Sequence, residues 1–309
     1  MAEAELLGTH FLQSEAWGQF QSSLGRTVVR GQGDGWSALA VLEKGRINSR
    51  LYAPYGPTVV DEVALERSLL FLAAEARRLG ATFVRVEPVG GITTESLLAR
   101  RLRRVNHVQP SLTWRLDLTP GLDVVVAGTA KSVRSRYRNF EKKGLTFRRS
   151  NDPGEIGYLT DLMAGVAQRN NIRPHPASYF QAQAQQLLPS GAASLYFVEY
   201  EGAVVAASLG YDDGVRRYYA HAAAADSARS LAPGVFLVMG MIADAVESGL
   251  REFDFYGIAP ADEPDHPWAG FSEFKRSFGG YDVPFVGTWE LAVKPAGYAV
   301  YRLLRRFLD

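Results

Sequence analysis

The pattern of apolar and polar positions divides the chain into two stretches that repeat one order of elements. Near the start, Ser14 is a good N-cap, and Trp17 and Phe20 share one face of a helix expected to reach about Gly25. Apolar and alternating runs at 26–30, 36–43 and 49–53 predict three strands. The turn-rich YAPYGP (52–57) follows. Asp61 then predicts the cap of a long amphipathic helix ending at Gly80, before a strand at 82–86. Later the order returns: a helix at 177–188, a strand at 194–199, a tight turn at Glu201-Gly202, strands at 204–210 and 216–220, a helix at 235–248 stopped by Gly249, and a strand at 252–255.

The two helix–strand joints align residue by residue. Ala74, Glu75 and Ala76 match Ala243, Asp244 and Ala245; Gly80 matches Gly249; Val84 and Val86 match Phe253 and Phe255. Any helix–glycine–strand joint has this general shape, but here the preceding strands repeat too, which favours a duplicated domain. Strands in a run followed by helix and strand predict a mixed α/β sheet in each lobe. The expected division is a first lobe of 1–120 plus 287–309 and a second of 121–286. The stretch 124–143 serves as a helical linker, and a final helix at 295–308 returns to the first lobe.

Composition narrows the function classes. A chain of 309 residues, 47% apolar and 22% charged, suits two globular domains. Net charge of +1 argues against whole-molecule attraction to nucleic acid, so a polyanion would need a local patch. The absence of cysteine removes disulfides, thiolate metal sites and a cysteine nucleophile. The five histidines show no metal-binding spacing, so no metal is expected, and no G-x-S-x-G elbow is present. The N-terminus has no signal-peptide pattern and no apolar run is long enough to span a bilayer, so a cytoplasmic protein fits, with peripheral contact at the inner face of a membrane left open.

Four features carry candidate chemistry. Residues 131–149 hold Lys131, Arg134, Arg136, Arg138, Lys142, Lys143, Arg148 and Arg149 against Glu141 alone, with Tyr137 and Phe140 interleaved. Such a segment can neutralise phosphates, although a charge run is often only a solvated helix face. The arginines at 100, 101, 103 and 104, and those at 302, 305 and 306 on the amphipathic end helix, read as surface. RSLAPG (229–234) sits where acetyltransferases of the GNAT type bind the pyrophosphate of coenzyme A with R/Q-x-x-G-x-G/A. Here Ala232 replaces the first glycine and Pro233 lacks an N–H, so coenzyme A is not expected to bind well. Lys275, between Phe274 and Arg276 at a helix end, could stabilise a developing oxyanion or a phosphate, or could be a snorkelling surface lysine. Glu87, in RVEP at a strand end, could act as a base, though a carboxylate there is more often a structural ion-pair member.

Taken in order, FLQSEAWGQF, YAPYGP, RVEP, QPSLTWRLDL, KSVRSRYRNFEKKGL, QRNNIRPHPASYF, EFDFYGI and EFKRSFGG resemble the FemABX-type non-ribosomal peptidyltransferases. That family adds amino acids from aminoacyl-tRNA to peptidoglycan stem peptides. The resemblance covers nearly the whole chain and implies two tandem GNAT-like lobes with a C-terminal helix on the first, in the short form without a coiled-coil arm. It implies catalytic roles for Lys275, with Phe274 beside it, and for Glu87 as base, and no cofactor. Substrate contacts are expected from Gln19, Tyr52, Gly56, Arg85, Lys131, Arg134, Arg138, His175, Tyr179, Tyr219 and Asp254. Gln19 and His175 stand where short members using a soluble UDP-linked precursor carry a lysine and an arginine. Losing both cations shifts the expected acceptor toward the lipid-linked, lipid II-like form. An acyl-CoA N-acyltransferase and a non-catalytic cell-wall precursor binding protein are the alternatives.

Overall fold

The computed structural model describes residues 10–45, 48–170 and 175–305. Part of the QRNNIRPHPASYF motif, at 171–174, and the end of the last helix, at 306–309, lie outside the described residues. The chain forms two compact units, Met1–Ser111 with Pro284–Asp309, and Leu112–Val283. Both borders fall earlier than the expected 120 and 286, because the strand Leu112–Asp117 pairs with Glu252–Gly257 in the second sheet.

Each unit is built on a mixed sheet. The first runs Val89–Gly90, Thr58–Val59, Trp36–Lys44, Ser49–Ala53, Phe83–Val86, Trp289–Ala292 and Arg103–Arg104, with Val28–Gly33 also paired to Trp36–Lys44. The second runs Tyr281–Pro284, Leu112–Asp117, Glu252–Gly257, Arg216–Ala224, Ala203–Asp212, Ala193–Tyr200 and Leu145–Ser150. Pairing is mostly antiparallel; besides the short parallel pair Thr58–Val59 with Val89–Gly90, the strands joined by each long helix lie parallel. Ser49–Ala53 lies parallel to Phe83–Val86 in one unit, and Arg216–Ala224 parallel to Glu252–Gly257 in the other.

The repeat is visible in the hydrogen bonds. The helix Glu62–Arg78 starts with Asp61 Oδ1 accepting from the Ala64 N–H at 2.7 Å. It ends with Ala81 N donating to Ala76 O at 2.8 Å across Gly80, whose φ is +73°. In the second unit Leu250 N donates to Ala245 O at 3.0 Å across Gly249, whose φ is +74°. The aligned residues thus make the same six-to-one bond, the Schellman closure that only glycine enters without strain. Each helix buries its apolar stripe on its own sheet: Leu65, Leu69 and Leu72 in one core, Phe236, Val238, Met241 and Ile242 in the other.

The expected helical linker 124–143 is instead part of the second unit. It breaks into Leu122–Gly128, Lys131–Tyr137 and a 3₁₀ turn, Glu141–Lys143, whose Val125 and Val133 are buried in the second core. The break at Thr129–Ala130 is held by Ala130 N donating to Ser277 O at 2.8 Å. The helix Pro295–Arg305 belongs to the first unit, where the Tyr298 hydroxyl donates to Glu290 at 2.8 Å. Among the described residues, no helix is long and apolar enough to cross a membrane.

Candidate active site

In the second unit the two parallel strands part. Their register runs from Arg216↔Glu252 to Tyr218↔Asp254 and stops, although the strands continue to Ala224 and Gly257. Against its other neighbour, Arg216–Ala224 pairs Tyr219 with Gly210 and His221 with Leu209, leaving Ala220 as a bulged residue. The bulge turns His221 to the same face as Tyr218, opposite Tyr219. An open crevice at the carboxyl ends of parallel strands is where open α/β sheets commonly place ligands.

Asp254 lies on the last paired position and is 1% exposed. It accepts from Arg115 Nε at 2.9 Å and from the Tyr256 N–H at 2.7 Å, and Thr113 Oγ1 is 3.5 Å away. Burial pushes its carboxyl up, and the Arg115 guanidinium pulls it back. Tyr256 follows with φ of +64°, a left-handed conformation that a tyrosine adopts only under constraint, inside a bulge after which Gly257 pairs again with Thr113.

The helix Ala269–Arg276 is fastened to this strand exit. Ser272 Oγ accepts from the Ala259 N–H at 2.8 Å, Arg276 Nη2 donates to Ala259 O at 2.6 Å, and Lys275 Nζ donates to Gly257 O at 2.6 Å. Positions 272, 275 and 276 share one helix face, which is why three polar side chains reach one short segment. The half-buried Lys275 is pushed down to about 8 by burial, against which Asp254 holds it up. The Gly257 carbonyl takes one of its three N–H donors. The remaining capacity is a partly desolvated cation near neutrality, the type of group that stabilises an oxyanion or orients a carbonyl.

On one side of the crevice, Tyr219 packs on Phe253 and Phe255, and burial raises its hydroxyl well above the ordinary range. Phe274 packs edge-on against Phe278. It also lines a concavity of about 530 Å³ with Arg136, Arg229, Ala232, Pro233 and Gly234 at the start of the helix Pro233–Glu247. Ala232 has φ of +53° and no side-chain cap; Pro233 has no N–H, and the Val235 N–H is bound to Ala232 O at 3.0 Å. The Pro233 nitrogen and the engaged Val235 N–H therefore offer no free donor at this helix start.

On the other side stands an aromatic group. His175 stacks obliquely on Tyr179 at 4.6 Å, and Phe180 meets His221 edge-on at 5.0 Å. His221 is pushed down to about 4 by burial and by His175, so it is neutral at pH 7. Sequence reasoning missed His221, Arg115 and Tyr256. The bulge brings His221 to this crevice, and the antiparallel pairing of Arg115 with Asp254 brings Arg115.

The other expected residues lie elsewhere. In the first unit Glu87 is buried, and both of its oxygens are filled. Oε2 accepts from the Tyr52 hydroxyl at 2.9 Å and the Tyr55 N–H at 3.1 Å; Oε1 accepts from the Gln109 N–H at 3.0 Å and the Thr288 hydroxyl at 2.6 Å. A carboxylate so occupied binds four chain segments together, and taking a substrate proton would displace one of them. Arg85 pairs with the buried Glu290, Nε donating at 3.0 Å, and so ties strand to strand. At Gly56 an added Cβ would come within 2.5 Å of the Gln13 amide, so this glycine makes room for that side chain, which bonds Leu39 and Pro54. Gln19 is exposed, and its side-chain amide donates to Glu15 on its own helix at 3.4 Å.

The basic segment is less free than its sequence suggests. Arg134 Nη1 donates to Ala127 O at 2.8 Å and also to Thr129 O; Arg148 pairs with Glu155 and Glu199, and Arg149 with Asp244. Lys131, Arg136 and Arg138 remain exposed, with no carboxylate within 4.0 Å among the described residues.

Residues 127–276 match the family described as an acetyltransferase (GNAT) domain. No curated protein matches the sequence. Among solved structures, FemX superposes with a TM-score of 0.84 at 18% identity, covering 95% of this chain and 94% of that one. A C-terminal domain assigned to a lysylphosphatidylglycerol synthetase of Agrobacterium fabrum gives 0.62 at 16% identity, covering 94% and 92%. A tandem GNAT protein from the clavulanic acid biosynthesis pathway gives 0.52 at 16%, covering 86% and 82%. At these identities the likeness is one of fold. The chain has the tandem GNAT-type acyltransferase fold, and within it the FemX-like arrangement in which the last strand and helix complete the first lobe.

Proposed function

We propose that this protein is an aminoacyltransferase that moves an amino acid from aminoacyl-tRNA to the stem-peptide amine of a peptidoglycan precursor, with the lipid-linked precursor as acceptor. The observation that carries the reading is Lys275: a half-buried ammonium, held near neutrality at the mouth of the parted strands, beside a helix start where Pro233 and Val235 offer no free N–H. The acceptor nitrogen attacks the ester carbonyl, the N–C bond forms, and negative charge develops on the carbonyl oxygen, where the Lys275 ammonium stabilises it. The ester C–O bond then breaks, and the proton lost by the amine goes to the departing ribose oxygen. The ester is already activated, so positioning and charge stabilisation suffice, with no covalent enzyme intermediate.

In this reading the Arg136 and Arg229 side chains receive phosphates of the tRNA end, and Lys131 and Arg138 extend that path. His175, Tyr179 and His221 form the acceptor side. Glu87 serves to shape the first lobe rather than to remove the proton. The test is incubation with mixed charged tRNAs and lipid-linked precursor, followed by mass spectrometry. A product heavier by one amino acid, and lost on ribonuclease treatment, is expected. Acetylated product from acetyl-CoA with no aminoacylated product would refute the reading.

A further inference from the structure

A second concavity lies in the first unit, between the edge strand Arg103–Arg104 and the helix Pro295–Arg305. Three neighbouring strands place Arg85, Glu290 and Arg103 directly opposite one another, so the three side chains share one face of the sheet. The helix covers that face. Its Tyr298 hydroxyl donates to Glu290 at 2.8 Å, and its Tyr301 hydroxyl accepts from Arg85 at 3.3 Å and from Arg305 at 3.2 Å. Between strand and helix a cleft of about 230 Å³ remains, lined by Arg103, Arg104, Arg302 and Arg305 with Glu290 and the two tyrosines at its floor.

Among the described residues lining this cleft, arginines outnumber carboxylates. Glu290 is the sole carboxylate among the described lining residues, and it is already engaged by Arg85 and Tyr298. Arg103, Arg104 and Arg302 have no carboxylate within 4.0 Å among the described residues. Arg103 from the strand and Arg302 from the helix both line the cleft. Cations gathered from two elements repel one another unless an anion lies between them, and guanidinium forks suit tetrahedral oxyanions.

We infer that this cleft binds a phosphate or pyrophosphate group, carried either by a small soluble ester or by a lipid headgroup. The inference does not rest on the aminoacyl transfer proposed above, and its test reads binding alone. Titration of the full chain with pyrophosphate should show a saturable component that weakens as salt is raised and is lost in the Arg103→Ala/Arg302→Ala double variant. Arg302→Ala and Arg103→Ala should each weaken binding by about tenfold or more, the loss of one charge-assisted contact. Arg302→Lys should recover part of it, and Arg251→Ala, at an exposed arginine elsewhere, none of the loss. Among the described residues Arg103 and Arg302 have no ion-pair partner to lose, so melting temperatures should hold. Sedimentation with phosphatidylcholine vesicles, with and without phosphatidylglycerol, separates the sources. Vesicle binding abolished by Arg302→Ala identifies a headgroup, and pyrophosphate binding without vesicle binding identifies a soluble ester. Absence of saturable pyrophosphate binding, or equal binding by the Arg103→Ala/Arg302→Ala double variant, overturns the inference.

Discussion

Replacing Lys275 with methionine separates a catalytic role from a structural one, because the two stability terms oppose each other. Methionine keeps the length of the side chain and removes its charge. Burial lowers the ammonium from 10.5 to about 8, which corresponds to roughly 3 kcal/mol of cost to the folded state. Removing the charge relieves that cost. It also leaves the Gly257 carbonyl without its donor, at about 1–3 kcal/mol. The terms nearly offset, so the melting temperature should shift by only a few degrees. Turnover, if the ammonium faces the developing oxyanion, should fall by about 10²–10³-fold. The pH dependence gives a second reading. The folded value lies below the unfolded one, so turnover should decline as pH rises through about 8 while this group's contribution to stability rises between about 8 and 10.5. Lys275→Arg should move that decline to higher pH while restoring little activity if a compact ammonium is required. The assay is single-turnover transfer from purified aminoacyl-tRNA to precursor, paired with thermal melts. Turnover equal to wild type in Lys275→Met, or a rate loss that tracks an equal loss of folded protein, would remove Lys275 from the mechanism.

Arg115→Ala leaves the buried Asp254 without its cation and should cost about 3–5 kcal/mol, read in urea melts, whereas Arg115→Ala with Asp254→Asn should recover much of it. Glu87→Gln sets an amide N–H against hydroxyl and backbone donors that now share a carboxylate; a stability loss of about 1–3 kcal/mol with little change in turnover per folded molecule is expected, and a large rate loss at unchanged melting temperature would return Glu87 to the role of base. Acetyl-CoA should bind no better than weakly in calorimetry, since Pro233 and the engaged Val235 N–H offer no free donor at the helix start. Gly280→Ala places a Cβ within 2.1 Å of the Arg115 carbonyl at a φ of +107°, so it should destabilise the second unit and disturb Asp254 with it, seen as loss of both melting temperature and activity.

What the sequence determined by itself is local and periodic. The helices Glu62–Arg78 and Pro233–Glu247 were legible because apolar residues recur at helical spacing, and because Gly80 and Gly249 close them where a left-handed residue is needed. The duplication was legible for the same reason, as one glycine closure written twice. The helix Ile156–Asn170 was not, since Gly157 and Gly165 weaken its local signal and packing supplies what propensity does not. Arg148 and Arg149 read as the tail of a basic helix. They lie on a strand, and their carboxylate partners come from residues 155, 199 and 244. Glu87 read as a candidate base because no local pattern reveals that donors from residues 52, 55, 109 and 288 would fill it. The crevice itself was invisible. Whether two strands stay paired past Tyr218 and Asp254, and which face a bulge at Ala220 gives His221, depends on hydrogen bonds between segments dozens of residues apart. Periodicity is carried by neighbours along the chain; partner choice across a sheet is fixed only when the whole lobe packs.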